Sequence, residues 1–390
     1  MTAVTEAEAE EKVSLCVDCA RHPSLKEVVL ARPVVGTCAF CCRTDATVRD
    51  PDDAEPMVML VRALIRFHWD EDAYNSHWGG DDVLKLFADD RNSVIAPPVA
   101  DTWQDEFDSL LQEPPYPDRD KGISIYAGFD QDGLRQIDFA ISRTDPRTVR
   151  SLRTRLMTED VVVVQPDLER LVGPFLADIA FTLPAATLAM RARVGVAAVY
   201  GRMDGFDYQL LRQPYQGAAI GASPSPGDGR LNRAGHPVLY LGSTSYTSLA
   251  EIRPHPGHYV SIGSFETIRD LRIADFDPDI ARFATSDDRL DFYAVIQAFD
   301  RMMSTPVTPE DKAGYRLTQL LAEVLAARGF DGVRYRSSVS DGVNLCLFDS
   351  ASAVYVDGHA EVRFVEAVRY DAPKSPSLQN PGPSDYRIDL

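Results

Sequence analysis

The chain has 390 residues, of which 45% are hydrophobic and 25% charged, and its formal net charge is −19. That composition belongs to a folded globular protein with material for two or three domains, and it excludes a fibrous, low-complexity or disordered chain. The acidic balance repels polyphosphates at long range and argues against general nucleic-acid binding, while leaving room for a local basic pocket that holds one small anion.

Residues 1–12, MTAVTEAEAEEK, form an acidic tail without the apolar core of a signal peptide, and no apolar run is long enough to cross a bilayer. Five of the six cysteines fall between positions 16 and 42. A secreted disulfide protein spreads its cysteines through the fold, so this clustering predicts metal binding in a reducing compartment, the cytoplasm, with no membrane partner. Cys16-x2-Cys19 and Cys38-x2-Cys41 are separated by eighteen residues. Each CxxC turn presents two thiolates to one ion, and two turns complete a tetrahedron at zinc-ribbon or treble-clef spacing. The prediction is a closed, structural Zn2+ site with no open coordination position. Cys42 competes with Cys41 for the fourth place, His22 is a further donor, and the alternative is a set of buried free thiols. Cys346, alone in an apolar strand, reads as a small core residue.

An acidic, proline-containing stretch at 50–56 marks a boundary. Apolar spacing then predicts a helix over 57–69, and a short helix over Trp103–Leu111 ends at Glu113-Pro114-Pro115. A short strand is expected over 122–127. Asp145-Pro146 reads as N-cap and first helical residue of the next helix, and 167–180 as a helix kinked at Gly173-Pro174. After Pro184 strand signals take over, at 186–194, 237–243, 258–265, 271–276, 331–338, 343–348 and 361–370. Thr244 or Ser245 caps a short helix containing Glu251, and longer helices are expected over 288–299 and 310–329, the second stopped at Gly329. Strands with interspersed helices but no strict alternation predict an α+β fold. The expected division is a tail and zinc-ribbon-like module at 1–50, a mainly helical region at 51–180, a catalytic or binding domain at 181–375, and a tail at 376–390.

Four features of the C-terminal part carry chemistry. Arg191 and Arg193 share one face of a strand, where a guanidinium needs an anion; a diphosphate would serve, and so would a neighbouring carboxylate. Gly229-Arg230-Leu231-Asn232 offers close backbone approach and two donor side chains, followed by Pro237-Val-Leu-Tyr240, and read alone it is an ordinary surface turn. Glu251 follows apolar Leu249 and Ala250, and is otherwise a helix-surface glutamate. Tyr335-Arg336-Ser337-Ser338 places two hydroxyls at a sheet edge.

In order, the segments R-A-R, G-R-L-N-x3-H-P-V-L-Y-L, L-A-E, G-x-R-Y-R-S-S and G-V-N-L resemble the RES domain, over about half the chain. The cysteine pairs and the helical region after them resemble, more loosely, the zinc-binding, HEPN-like extension of some longer RES proteins. Within it Arg62 and His68 stand at a spacing loosely like that of HEPN ribonucleases, on a helix that reads as core-facing. The resemblance implies an ADP-ribosyltransferase-like split mixed sheet and a toxin that cleaves the nicotinamide–ribose bond of NAD+ by hydrolysis or phosphorolysis. It implies Glu251, Arg191 and Ser337 as catalytic residues, and Arg193, Arg230, Asn232 and Tyr240 as substrate-binding. The partners it implies are NAD+ as substrate, inorganic phosphate as acceptor, and an antitoxin or immunity protein. The competing readings are ADP-ribose transfer to a macromolecule and a non-catalytic module that senses NAD+ or binds a partner. The long segment between Tyr200 and Gly229 departs from the pattern and is expected to be a lid or recognition loop.

Overall fold

The structure, a computed structural model, describes residues 14–74, 80, 83–87, 93–97, 139–305 and 312–369. The helix expected at Trp103–Leu111, the strand at 122–127 and the tails at 1–12 and 376–390 lie outside those residues.

Pro23 sits in the first turn of helix α1 (Pro23–Ala31), where its missing N–H costs nothing. Strands β1 (Pro33–Gly36) and β2 (Ala46–Arg49) pair antiparallel beside it. The stretch at 50–56, expected to mark a boundary, begins with a built corner. The Asp50 carboxylate accepts from the Asp52 amide to start a single 3-10 turn, and buried Arg49 donates to Val28 O (2.6 Å) and Asp53 O (2.8 Å). Helix α2 (Glu55–His68) follows at once, burying Met57, Leu60, Val61, Leu64 and Ile65 at the spacing of one helical face. After the short α3 (Val83–Phe87) comes α4 (Arg147–Thr158). Asp145 does not cap α4 as expected: Pro146 occupies the cap position, and Asp145 Oδ1 accepts from Arg301 Nε (3.2 Å) and Nη2 (2.9 Å). A charged partner outweighs one amide. Helix α5 (Val161–Val172) is capped by Asp160 and passes into a 3-10 turn at Gly173–Phe175; the chain then enters strand β3 (Ala180–Leu183) instead of staying helical to Ala180.

The remaining elements follow in order: β4 (Leu188–Val194), β5 (Ala198–Asp204), β6 (Asp207–Gln213), β7 (Leu239–Gly242), α6 (Ser245–Glu251), β8 (Tyr259–Thr267), β9 (Leu271–Asp275), α7 (Asp287–Ser304), α8 (Arg316–Ala327), β10 (Gly332–Arg336), β11 (Val343–Leu347), β12 (Ala353–Tyr355) and β13 (Glu361–Phe364). Gly329, at φ +80°, closes α8 as the sequence predicts, because a left-handed residue there is cheap only for glycine.

The fold is α+β, with a nine-stranded mixed sheet in the order β12-β8-β4-β7-β11-β10-β9-β3 and β13 also paired to β8. Only β9 and β10 run parallel. The pairing is uneven. Strand β4 holds β8 over seven successive residues, from Leu188 opposite Glu266 to Val194 opposite Val260. It meets β7 at one pair, Met190 opposite Gly242. The sheet therefore has a seam between β4 and β7.

Buried residues of α7 and α8, among them Phe299, Leu320, Leu321 and Leu325, belong to one apolar core that also contains Leu15, Val48, Leu60, Leu152 and Leu168. The core runs across the boundary expected near residue 181. Phe67 meets Tyr293 at 6.1 Å, Phe175 meets Phe292 at 5.9 Å, and Arg66 pairs with Asp291. A smaller cluster around Ile220, Leu239, Leu241, Phe265 and Ile273 forms a second core.

Strands β5 and β6 pair with each other in a separate two-stranded sheet, turning at Gly205 (φ +61°). This hairpin fills the first part of the segment expected to be a loop. Its apolar residues are exposed on both faces, Phe206 completely and Met203 at 70%, so no one-sided alternation marks it in the sequence. No helix among the described residues is long and apolar enough to cross a membrane.

Candidate active site

The seam between β4 and β7 opens into a cleft of about 300 Å3. Met190, Arg191 and Ala192 form one lip, Tyr240, Leu241 and Gly242 the other, with Arg230, Ser248, Glu251, Ile252, Tyr335 and Asn344 around them.

Arg191 stitches the seam. Its Nε donates to Ile220 O and its Nη1 to Tyr240 O, both at 2.8 Å, where ladder hydrogen bonds are missing. Burial, and then the nearby Arg193, push its pKa down, yet a guanidinium keeps its proton at any physiological pH. Among the described residues no carboxylate pairs with Arg191, so its bonds go to neutral carbonyls and its charge stays available to the cleft. Arg193 is on the same strand face but outside the cleft, donating to Ala219 O with its guanidinium 4.9 Å from the Tyr215 ring.

Arg230 lines the cleft and donates to Met303 O. Tyr240 Oη accepts from Leu231 N and donates to Asn232 Oδ1, each at 3.0 Å. Burial raises the Tyr240 pKa well above the usual phenol value, so the residue is a fixed neutral donor and not a base. Asn232 does not line the cleft. It is 5% exposed and uses Nδ2 on Gly227 O (3.0 Å) and Arg233 O (3.1 Å), which folds the turn that presents Arg230. Gln319 Nε2 fixes the same turn through Gly229 O (2.8 Å) and Asn232 O (3.0 Å). A side chain at Gly229 would collide with Asn232, which is why glycine stands there.

Glu251 is the last residue of α6. Thr244 starts that helix by accepting from Thr247 N (3.0 Å), and Gly242 lets it lie close, since a Cβ there would be 2.7 Å from Ser248 N. Glu251 Oε1 accepts from Ser337 Oγ and from Asn344 Nδ2, both at 2.7 Å. Among the described residues no donor reaches Oε2. Ser337 Oγ also accepts from Val339 N (3.2 Å), so its proton is committed to the carboxylate. The sequence reading left Asn344 without a role, and the structure places it against Glu251. Its signal was the G-V-N-L segment, but only the antiparallel pairing of β10 and β11 carries it to Glu251. The structure thus brings Arg191, Arg230, Tyr240, Glu251 and Ser337 together and leaves Arg193 and Asn232 behind the cleft wall.

Cys16, Cys19, Cys38 and Cys41 form the other chemical cluster, with all four Sγ atoms within 4.8 Å of one another. Cys16 Sγ to Cys41 Sγ is 3.8 Å, which matches the edge of about 3.8 Å for a tetrahedron with metal–sulfur bonds of about 2.3 Å. The donor set fits a thiophilic ion. Cys42 is exposed with φ +58°, so Cys41 and not Cys42 takes the fourth place, and His22 lies outside the cluster.

The family model of the RES domain matches residues 198–370. Arg191 precedes the matched span and lines the cleft. No curated protein sequence matches the chain. Among solved structures, the M. tuberculosis MbcT-MbcA toxin-antitoxin complex aligns at 12% identity over 52% of this chain and 100% of that one, with a TM-score of 0.29, a similarity too low to inform fold or function.

Proposed function

We propose that the seam cleft binds NAD+ and cleaves its nicotinamide–ribose bond. The observation that carries the reading is Glu251: a carboxylate held by Ser337 and Asn344, with one oxygen left over, in the same cleft as the unneutralised guanidinium of Arg191. Departure of nicotinamide as a neutral molecule builds positive charge on the ribose, giving an oxocarbenium-like transition state. The fixed carboxylate stabilises that charge and orients a ribose hydroxyl through Oε2. Arg191 and Arg230 hold the diphosphate, and the Tyr240 ring packs on the departing base. In hydrolysis water adds to the anomeric carbon, giving ADP-ribose, nicotinamide and a proton; in phosphorolysis inorganic phosphate takes the place of water. The near-separation of the sheet at β4 and β7 supports a split, ADP-ribosyltransferase-like sheet around the substrate.

In this reading the protein is a cytoplasmic toxin controlled by an antitoxin or immunity partner, with its RES domain at 181–375. A structural Zn2+ at the four cysteines organises the 1–50 module, and the helical region at 51–180 is a HEPN-like extension without ribonuclease chemistry, because Arg62 is buried.

The test is incubation of the full chain with NAD+, with and without phosphate, beside Glu251→Ala. Expected is nicotinamide release by the wild type and a loss of at least about a hundredfold in the variant. ADP-ribose identifies hydrolysis, a phosphorylated sugar product that needs phosphate identifies phosphorolysis, and a labelled macromolecule identifies transfer. Intact NAD+ under all conditions would leave only the sensing or partner-binding reading.

A further inference from the structure

A second cavity, of about 670 Å3, shares no lining residue with the cleft. It lies between α4, the loop before it and the C-terminal end of α7. Helix α4 divides its surface sharply. Val149, Leu152 and Leu156 enter the core, whereas Arg150, Arg153, Thr154 and Met157, at the spacing of one helical stripe, line the cavity. Arg143 and Arg301 add two more guanidinium groups, and Asp145 is the one carboxylate of the lining among the described residues.

Among the described residues, four arginines stand against one aspartate in the lining, in a chain of net charge −19. They are held to different degrees. Arg301 is fixed by Asp145 and by the carbonyls of Ile141 (2.6 Å) and Thr144 (2.9 Å). Arg143 lies 3.1 Å from Asp70, and Arg153 is only loosely placed at 3.9 Å from Asp145. Arg150 pairs with no carboxylate among the described residues. Like charges gathered this way repel one another unless an anion joins them, and guanidinium groups meet phosphate oxygens in bidentate pairs. Thr144 and Thr154 offer hydroxyls, while Met157 and Met302 supply adaptable apolar surface of the kind that packs on a flat base. The volume is that of a small-molecule site.

We propose that this cavity binds a nucleoside polyphosphate, its phosphates on Arg143, Arg150, Arg153 and Arg301 and its base against Met157 and Met302. The site is separate from the cleft but adjoins it along the chain: Arg301 and Met302 line the cavity, and the next residue, Met303, accepts from Arg230 of the cleft.

The experiment is calorimetric titration of the full-length protein with ATP at low ionic strength, where surface electrostatics are least screened. The double variant Arg150→Glu/Arg153→Glu is compared with wild type; both substitutions lie outside the cleft, so binding there would be unchanged by them. Both arginines are exposed, so the melting temperature of the double variant should match wild type. Saturable ATP binding by wild type, weakened at least about tenfold in the double variant, supports the proposal. Inorganic phosphate should bind more weakly than ATP, and equal affinities would overturn the nucleotide assignment. Absence of saturable ATP binding to wild type at millimolar concentration, or unchanged affinity in the double variant, would overturn the site itself.

Discussion

The proposed chemistry turns on how one carboxylate is held. Asn344 and Ser337 both donate to Glu251 Oε1, and a hydrogen bond to a charged group contributes about 1.5–3 kcal/mol. Removing the Asn344 amide frees the carboxylate to rotate without touching the residues that grip the diphosphate. Asn344→Ala is therefore expected to lower kcat for nicotinamide release by roughly 10- to 100-fold with little change in KM, and steady-state kinetics separate the two. A matching rise in KM would instead place Asn344 in substrate binding. Arg193 shows the limit of reading residues alone. It shares strand and face with Arg191, yet one bonds across the seam and the other turns to Ala219 and the Tyr215 ring.

At the scale of elements, the hairpin of β5 and β6 and the cysteine module make opposite predictions. Phe206 at the hairpin tip is fully exposed and packs on nothing that its loss would uncover. Phe206→Ser should shift stability by no more than about 0.5 kcal/mol, read as an unchanged denaturation midpoint; a larger loss would mean the tip is covered in the free protein. The cysteine module, by contrast, joins Leu15, Cys16, Cys19 and Cys38 to the main core. One equivalent of zinc per chain is expected by elemental analysis, and Cys38→Ser or a strong chelator should lower the melting temperature, because metal affinity here is folding free energy. A metal-free preparation with the same melting temperature would favour free thiols.

For the whole molecule, pH reports how the two ends of the chain are packed together. Burial, and then the neighbouring His22, lower the pKa of His68 from its ordinary 6.5 to about 4. The unfolded chain thus takes up a proton at higher pH than the fold does, so this residue's contribution falls as pH drops from 6.5 to about 4. Asp277 acts in the other sense. Burial raises its carboxyl from 3.8 to about 6, so the fold holds its proton more tightly and loses that advantage as pH rises through 6. Thermal melts of wild type and His68→Phe between pH 7 and 4.5 should show a shallower acid slope in the variant, the difference excluding effects common to both, such as metal release. Identical slopes would show that His68 is solvated in the folded protein. The continuous core from Leu15 to Cys346 explains why such a change in α2 reaches the stability of the whole chain.

The sequence alone determined the elements whose causes are local. Apolar periodicity marked α2, α7 and α8, strand signals marked most strands of the large sheet, paired CxxC turns marked the cysteine cluster, and ordered motif segments marked the stretch that the RES family model matches. Local chemistry suffices there because one face of each element, or one turn, carries the signal. What depended on distant partners was legible only in the tertiary structure. Asp145 left its helix for Arg301, Asn232 became a buried turn-former, and Asn344 reached Glu251 across 93 positions. The hairpin was hidden because both of its faces meet solvent. The seam itself, where β4 touches β7 at one pair and Arg191 closes the gap, is a property of strand order. Strand order is decided by which faces can share a core, and no local pattern encodes it.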